Sequence, residues 1–294
     1  MEIRTLKYFL EIAKTENMTS AARNLHVSQS ALSRQMTDLE REIGKTLFIR
    51  TNRQTLLSED GLHLARRAEE IIALVEKTEK EMHDEKDISG EIHIGAGETK
   101  GFSLLCEAMK RVQEKYPHIS FSTYSGNATD ISEKLEHGLL DFGLMFEPFS
   151  KERYQYIDFP YVNKLGLIVK SDHPLANQKS ITEKEIRDIP LLVSSRLNDK
   201  KLFQKLSNKE VEALKIKGTY NLIFNAILMV NQGIGSAIAI DGLINQDNNL
   251  RFLQFEPEIN LKMYFVWKKN HIHTKASEVF LEELQKIIQD ARRG

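Results

Sequence analysis

The sequence predicts three parts: a small all-α unit at the N-terminus, one long charged helix, and a larger α/β region. Three observations carry this prediction. Apolar residues recur at helical spacing through the first 43 residues, a heptad-like seam runs from residue 65 to 82, and from residue 91 short apolar runs alternate with amphipathic stretches. A chain of 294 residues is long enough for two or more domains, and its 41% hydrophobic and 28% charged residues are ordinary for a globular protein. The net charge of -1 excludes a global field that would drive the chain onto a polyanion, so any such attraction must be local. The single cysteine, Cys106, excludes an intrachain disulfide and a cysteine-rich zinc site, and fits a reducing cytoplasm. Glu2, Arg4, Lys7 and Glu11 interrupt any apolar leader. The most apolar stretch, residues 222–240, contains Asn225, Asn231, Gln232 and a Gly-Ile-Gly turn, so no membrane partner is expected.

Taken in order, residues 5–15 form a first helix with Leu6, Phe9, Leu10 and Ala13 on one side. Residues 18–44, MTSAARNLHVSQSALSRQMTDLEREIG, read as two short helices joined by a tight connection. Thr19 is the expected cap of the first, whose Ala21, Ala22 and Leu25 form an apolar stripe, and Ser28 caps the second. In the second helix Leu32, Met36, Leu39 and Ile43 make one buried face. Turned away are Gln29, Ser30, Ser33, Arg34, Thr37 and Arg41, side chains able to hydrogen-bond base edges and phosphates. Helix geometry alone leaves open an ordinary hairpin with a solvated polar face. The first 58 residues hold nine Lys/Arg against six Asp/Glu, a local excess of the sign that nucleic acid requires. Residues 47–57, LFIRTNRQTLL, read as two short strands with Arg50 and Arg53 at or near the tip, where they would reach phosphates or the minor groove.

Thr19-Ser20-Ala21-Ala22-Arg23, Leu25, Val27-Ser28-Gln29, Ala31-Leu32-Ser33-Arg34-Gln35, Leu39-Glu40, Gly44, Leu47-Phe48, Arg50 and Arg53 together resemble the N-terminal signature of LysR-type transcriptional regulators. The pattern is dense and its spacing uninterrupted. One departure is Ser30, where many members carry proline; serine also suits the first turn of a helix. The resemblance implies a winged helix-turn-helix that meets operator DNA through Thr19, Ser20, Ser28, Gln29, Ser30, Ser33, Arg34, Thr37, Arg50 and Arg53.

Residues 58–85 read as one long helix, capped by Ser58 and carrying Glu59 and Asp60 in its first turn, where the helix dipole favours anions. Ala65, Ala68, Ile72, Val75 and Met82 follow spacings of 3, 4, 3 and 7, a seam broken only by Glu79, with Leu64, Ile71 and Leu74 as a second stripe. The partner of that seam is either the chain's own body or a second copy; similarity to LysR-type proteins implies the second copy, in a homodimer or homotetramer. The charged run 79–87, followed by Ser89-Gly90, reads as a hinge.

From there strands at 91–95, 119–125 and 141–146 alternate with helices at 104–116 and 129–137, which predicts a largely parallel sheet. The chain is expected to leave this first lobe around 160–165. A second lobe follows, with strands at 165–169, 191–194 and 236–240 and helices at 182–187, 199–206 and 221–231. Residues 261–267 would cross back, and a closing helix at 274–291 shows a clean apolar face of Ala276, Val279, Phe280, Leu284, Ile287 and Ile288. Periodicity supports α/β with two lobes as one option. Resemblance implies the two-lobed, periplasmic-binding-protein-like effector domain of LysR-type regulators.

Catalytic and cofactor motifs fare poorly. Gly95-Ala-Gly97-Glu-Thr-Lys100 imitates a dinucleotide fingerprint, but lysine replaces the third glycine and Tyr124-Ser125 stands where an acidic residue should end the next strand. Gly233-Ile-Gly235 reads as a helix end and turn. His271 and His273 lack a nearby third ligand and read as a solvated pair, and Cys106 is expected to pack rather than react. No nucleophile elbow occurs. Neither an enzyme, a cofactor nor a metal is expected.

The expected organisation is a winged helix-turn-helix over 1–58, a linker and dimerisation helix over 59–87 and an effector-binding domain over 88–294. Lobe I would take about 91–161 and 268–294, and lobe II about 162–267. Expected partners are double-stranded operator DNA, a small-molecule effector, a second copy of the chain and, as a further candidate, RNA polymerase, all in the cytoplasm. The effector residues expected are Thr99, Lys100, Asn127, Thr129, Ser194, Ser195 and Arg196, at strand ends where two helix N-termini would favour an anionic guest. The competing readings are a small-molecule receptor or an α/β enzyme with a helical appendage and no DNA binding.

Overall fold

The computed structural model describes residues 1–50, 54–81, 88–147, 149–195, 214–244, 249–270 and 272–293, with the side chains of 50, 80 and 81 excepted. The chain forms two compact units, Met1–Asp84 and Glu85–Gly294.

The first unit holds α1 (Ile3–Thr15), α2 (Met18–Asn24), α3 (Gln29–Ile43), the hairpin of β1 (Phe48–Arg50) and β2 (Thr55–Leu57), and α4 (Glu59–Glu81). Its core is Leu6, Phe9, Ile12, Ala21, Ala22, Leu32, Met36 and Leu39, with Phe9 tilted on Phe48 at 5.1 Å between ring centres. Ile12 replaces Leu10 and Ala13 in the buried stripe of α1; those two are half-buried. Asn17, not Thr19, caps α2: its side chain accepts from Ser20 N–H at 3.0 Å. Thr19 falls inside the helix and is exposed. Ser28 caps α3, its hydroxyl accepting from Ala31 N–H at 3.2 Å. The helix ends at Gly44, whose φ of 73° suits a residue without Cβ. Ile43 lies beyond the buried face and is 37% exposed.

Glu40 ties α3 to the hairpin, its Oε1 accepting from the N–H groups of Leu47 at 2.8 Å and Phe48 at 3.1 Å. Thr55 N–H donates to Glu16 C=O at 2.8 Å, pinning β2 to the end of α1. Ser58 caps α4 by accepting from Gly61 N–H at 2.9 Å. On α4 the expected seam is partly corrected. Ala68 is completely buried in the core of its own unit, and Ala65 and Ile72 pack against that core from half-buried positions. An alanine enclosed by its own chain cannot also line a seam with a second copy. Val75 is half-buried, Leu62 and Leu74 are exposed, and Met82 lies outside the described residues.

The second unit is a mixed sheet with helices on its faces. Lobe I orders its strands β4 (Ile119–Ser125), β3 (Gly90–Ala96), β5 (Phe142–Phe146), β12 (Asn260–Lys268) and β6 (Tyr154–Lys170). β3 is parallel to both β4 and β5, whereas β12 runs antiparallel to β5 and β6. Helices α5 (Phe102–Lys115), α6 (Ala128–Glu136) and α9 (Lys275–Arg293) cover this sheet, α9 contributing Phe280, Leu284, Ile287 and Ile288 to the core. Lobe II is built on the second half of β6, flanked antiparallel by β10 (Ser236–Ile240) and β11 (Leu250–Glu256). Outward from β10 lie β8 (Leu191–Ser194) and β9 (Ile216–Tyr220), both parallel; β7 (Ser180–Thr182) joins β11. Helices α7 (Glu183–Ile186) and α8 (Ile223–Asn231) complete the lobe.

The 17-residue β6 serves both lobes, so the crossing is a strand rather than a loop. Proline at 160 cannot donate to a ladder, and a bulge between Lys262 and Tyr264 sets residues 159–161 opposite Met263, absorbing the missing donor. In its second half Gly166 is required: a Cβ there would stand 2.3 Å from Leu253 O. β12 also corrects the expected lobe boundary, since Met263, Phe265 and Trp267 belong to the lobe I core. The 199–206 helix lies outside the described residues. Cys106 is exposed rather than packed, and His273 is half-buried and stacked on Phe142 at 5.3 Å rather than solvated; His271 lies outside the described residues.

Candidate functional site

The outward face of α3 is a shallow groove lined by Gln29, Ser30, Ser33, Arg34, Thr37, Asp38 and Arg41. These residues sit there because Leu32, Met36 and Leu39 take the opposite face into the core. Several of the polar groups are already engaged. Thr37 Oγ1 donates to Ser33 C=O at 3.0 Å, and Arg41 pairs with Asp38 at 2.8 Å. Arg34 is exposed and forms no ion pair among the described residues, so its five donors remain for an external acceptor. Ser28 spends its hydroxyl on the helix start and on Ser30, 3.2 Å away. Ser20 is half-buried, and its backbone N–H holds Asn17. Arg50 closes β1 through its backbone; its side chain, like the whole of Arg53, lies outside the described residues.

The second site is a cavity of about 140 Å³ between the lobes of the second unit. Lobe I supplies Gly97, Glu98, Asn127, Ile131, Leu144, Phe146 and Glu147; lobe II supplies Ser194, Tyr220, Asn221, Leu222, Ile223, Ile238, Ile240 and Leu243. The lining is mostly aliphatic and aromatic. Of the residues expected here, Asn127 and Ser194 line the cavity, whereas Thr99, Lys100, Thr129 and Ser195 do not. Thr99 is 8% exposed, and its hydroxyl donates to the buried Asn163 on β6 at 2.8 Å while accepting from Gly101 N–H at 3.1 Å. It therefore braces the turn after β3 against the crossing strand. Thr129 is exposed on α6, its N–H donating to Asn127 Oδ1 at 2.8 Å, and Ser195 N–H donates to Tyr220 C=O at 2.7 Å. Lys100 is exposed, and its aliphatic stem lies against Gly242. Arg196 lies outside the described residues.

Sequence reasoning missed the groups that give the cavity its polarity. Glu98, on the turn after β3, accepts from Ile223 N–H at the first turn of α8, so a lobe I carboxylate reaches the N-terminus of a lobe II helix. Tyr220 donates to Ile238 C=O at 2.5 Å, and burial, then the nearby Glu98 charge, push its ionisation far up, keeping the phenol neutral. Glu147 pairs with Lys151 at 2.8 Å; hydrogen bonds from Lys151 and then Tyr264 hold its carboxyl below the usual range. Glu98 lies within the glycine-bearing 95–100 stretch, but only the fold brings it to residue 223.

Two family profiles cover this architecture. The "LysR substrate binding domain" matches residues 85–288, and the "Bacterial regulatory helix-turn-helix protein, lysR family" matches residues 3–62. The chain belongs to the LysR family. It is a DNA-binding transcriptional regulator with an effector-binding domain. Among curated relatives, an uncharacterised helix-turn-helix regulator of Bacillus subtilis, YvbU, is 27% identical over 240 residues, 81% of each chain. The transcriptional activator IlvY of Salmonella typhimurium is 28% identical over 200 residues, 67% of each chain. The solved structure of full-length CbnR complexed with its target DNA shares the fold, with a TM-score of 0.74 at 19% identity, covering 98% of this LysR-family chain and 100% of that one. Among the described residues of the regulator no helix is long and apolar enough to cross a membrane.

Proposed function

We propose that α3 is the reading helix of this regulator, with Gln29, Ser33 and Arg34 directed at base edges in the major groove. Thr19, Ser20, Ser28, Ser30 and Thr37 would lie around them, and Arg50 and Arg53 of the hairpin would meet phosphates or the minor groove. The observation that carries this reading is the exposed Arg34, unpaired among the described residues, on the polar face of a helix anchored by Leu32, Met36 and Leu39. The proposed division of labour is 1–58 for DNA, 59–87 for assembly and 88–294 for the effector. Assembly would use the exposed side of α4, where Leu62 and Leu74 remain available, in a homodimer or homotetramer. The effector would occupy the interlobe cavity and bias the DNA-binding units through the crossing strands, without a catalytic step. The setting would be the cytoplasm, with RNA polymerase as a further partner.

Selection of duplexes from a random pool, followed by an electrophoretic shift across a salt series, tests the DNA reading. The expected result is a two-fold-symmetric sequence with half-sites about one or more helical turns apart, bound with a steep salt slope. Enrichment of no sequence would remove the assignment. Sedimentation tests assembly: Leu74→Asp should lower the oligomeric state and weaken operator binding by more than one unit's contacts explain, because the linked second contact is lost.

A further inference from the structure

The described lining of the interlobe cavity carries a sign of charge, and it is negative. Glu98 contributes a carboxylate that forms no ion pair among the described residues, while no lysine, arginine or histidine stands among the described lining residues. Oε2 of Glu98 is engaged with Ile223 N–H, and Oε1 has no bond among the described residues. The helix starts that would otherwise draw an anion are partly satisfied from within the chain. Ile223 N–H of α8 goes to Glu98, and the Thr129 and Asp130 N–H groups of α6 go to Asn127 Oδ1 at 2.8 and 3.1 Å. A carboxylate guest would therefore stand beside a like charge with no cation among the described lining residues to offset it.

A second observation points the same way. Beside Glu147 but outside the cavity lining, the Lys151 ammonium lies 4.8 Å from the ring centre of Tyr264, 5.4 Å from Tyr156 and 5.9 Å from Phe149. Glu147, which does line the cavity, thus already takes part in holding a cation by a carboxylate and three ring faces. The rest of the described lining is mostly hydrocarbon, including Leu144, Phe146, Ile238 and Leu243, with Asn127, Ser194, Tyr220 and Asn221 as its neutral polar groups.

We propose that the cavity takes a small ligand with an apolar body and an ammonium group, and that Glu98 is its counter-ion. This rests on the reading of the cavity as the effector site. The ammonium donates to Glu98 Oε1, so the bond to α8 need not break, and the apolar body fills the aliphatic walls. An anionic effector, the expectation from helix N-termini alone, is replaced by a cationic one.

The test uses the full-length chain and three probes of matched body: 2-phenylethylammonium, 2-phenylethanol and 3-phenylpropionate, at neutral pH and equal ionic strength. Calorimetry and thermal shift should show the ammonium binding about tenfold or more tighter than the other two. In Glu98→Gln, which keeps an oxygen for Ile223 N–H, that preference should disappear while the alcohol binds as before. In the wild type, added salt should narrow the preference, a readout that needs no variant. Equal binding of ammonium and alcohol overturns the charge assignment and leaves the cavity reading standing. Preference for the carboxylate also overturns it, and loss of that preference in Arg196→Ala would name the cation responsible. Absence of binding by all three probes sinks the cavity reading itself, and the proposal with it.

Discussion

The outer face of α3 and the interlobe cavity are both polar-bearing recesses, yet they are built in opposite ways. The α3 face takes all its groups from one helix, exposes them and leaves Arg34 unpaired among the described residues. The cavity gathers residues from Gly97 to Leu261, encloses them in hydrocarbon and adds the Glu98 carboxylate. A cation in water suits the dense charge of a phosphate backbone, where affinity comes from counterion release. A carboxylate among apolar walls suits a small guest that exchanges its hydration for one matched charge.

Three substitutions in the first unit sharpen the contrast between structural and recognising faces. The largest effect is expected for Ala68→Asp, which buries a charge against the unit's own core. It should cost about 3–5 kcal/mol and unfold residues 1–84, abolishing DNA binding while the second unit keeps its thermal transition. Met36→Ala, on the buried face of α3, should cost about 2–5 kcal/mol in denaturant unfolding. If Ala68→Asp melted like the wild type, α4 would not be packed on its own unit. Glu40→Ala should cost about 1–3 kcal/mol, because the Leu47 and Phe48 N–H groups lose their acceptor; hydrogen exchange should rise first in the hairpin.

The smallest effect concerns acid. Glu283 is held below the ordinary carboxyl value of 4.5, first by the hydrogen bond from Lys115, with burial opposing and Lys286 and Arg111 assisting. A depressed folded-state pKa contributes stability above the ordinary value and loses it as pH falls through the depressed one. Glu283→Gln should therefore melt lower than the wild type near neutral pH, and the gap should close under more acidic conditions. A gap that persists unchanged at low pH would assign it to packing instead.

What could be read from the sequence follows the same division. Ser28 as a cap and Leu32, Met36 and Leu39 as one buried face are local facts, decided within a few turns of chain. Thr19 and Asn17 are both competent caps, and the choice fell to Asn17 because the chain leaves α1 at Glu16 in a left-handed conformation and starts α2 at once. A heptad spacing shows that Ala68 is covered, not by what; α1 of its own unit answers that. Pro160 hid the first half of β6, because the bulge that accommodates it forms only on pairing with β12, about a hundred residues away. Glu98 was invisible for the same reason: its partner is Ile223, on another lobe. Thr99 was picked out as a hydroxyl at a strand end, yet the fold spends that hydroxyl on Asn163.

The most direct test of the reading face is Arg34→Ala against a selected operator duplex, followed by fluorescence anisotropy at several salt concentrations. The account predicts an intact fold and a loss of specific binding of on the order of 1–3 kcal/mol, roughly tenfold to a hundredfold, with discrimination relaxed at one base position. An Arg34→Ala variant that binds the operator as tightly and as selectively as the wild type would contradict it.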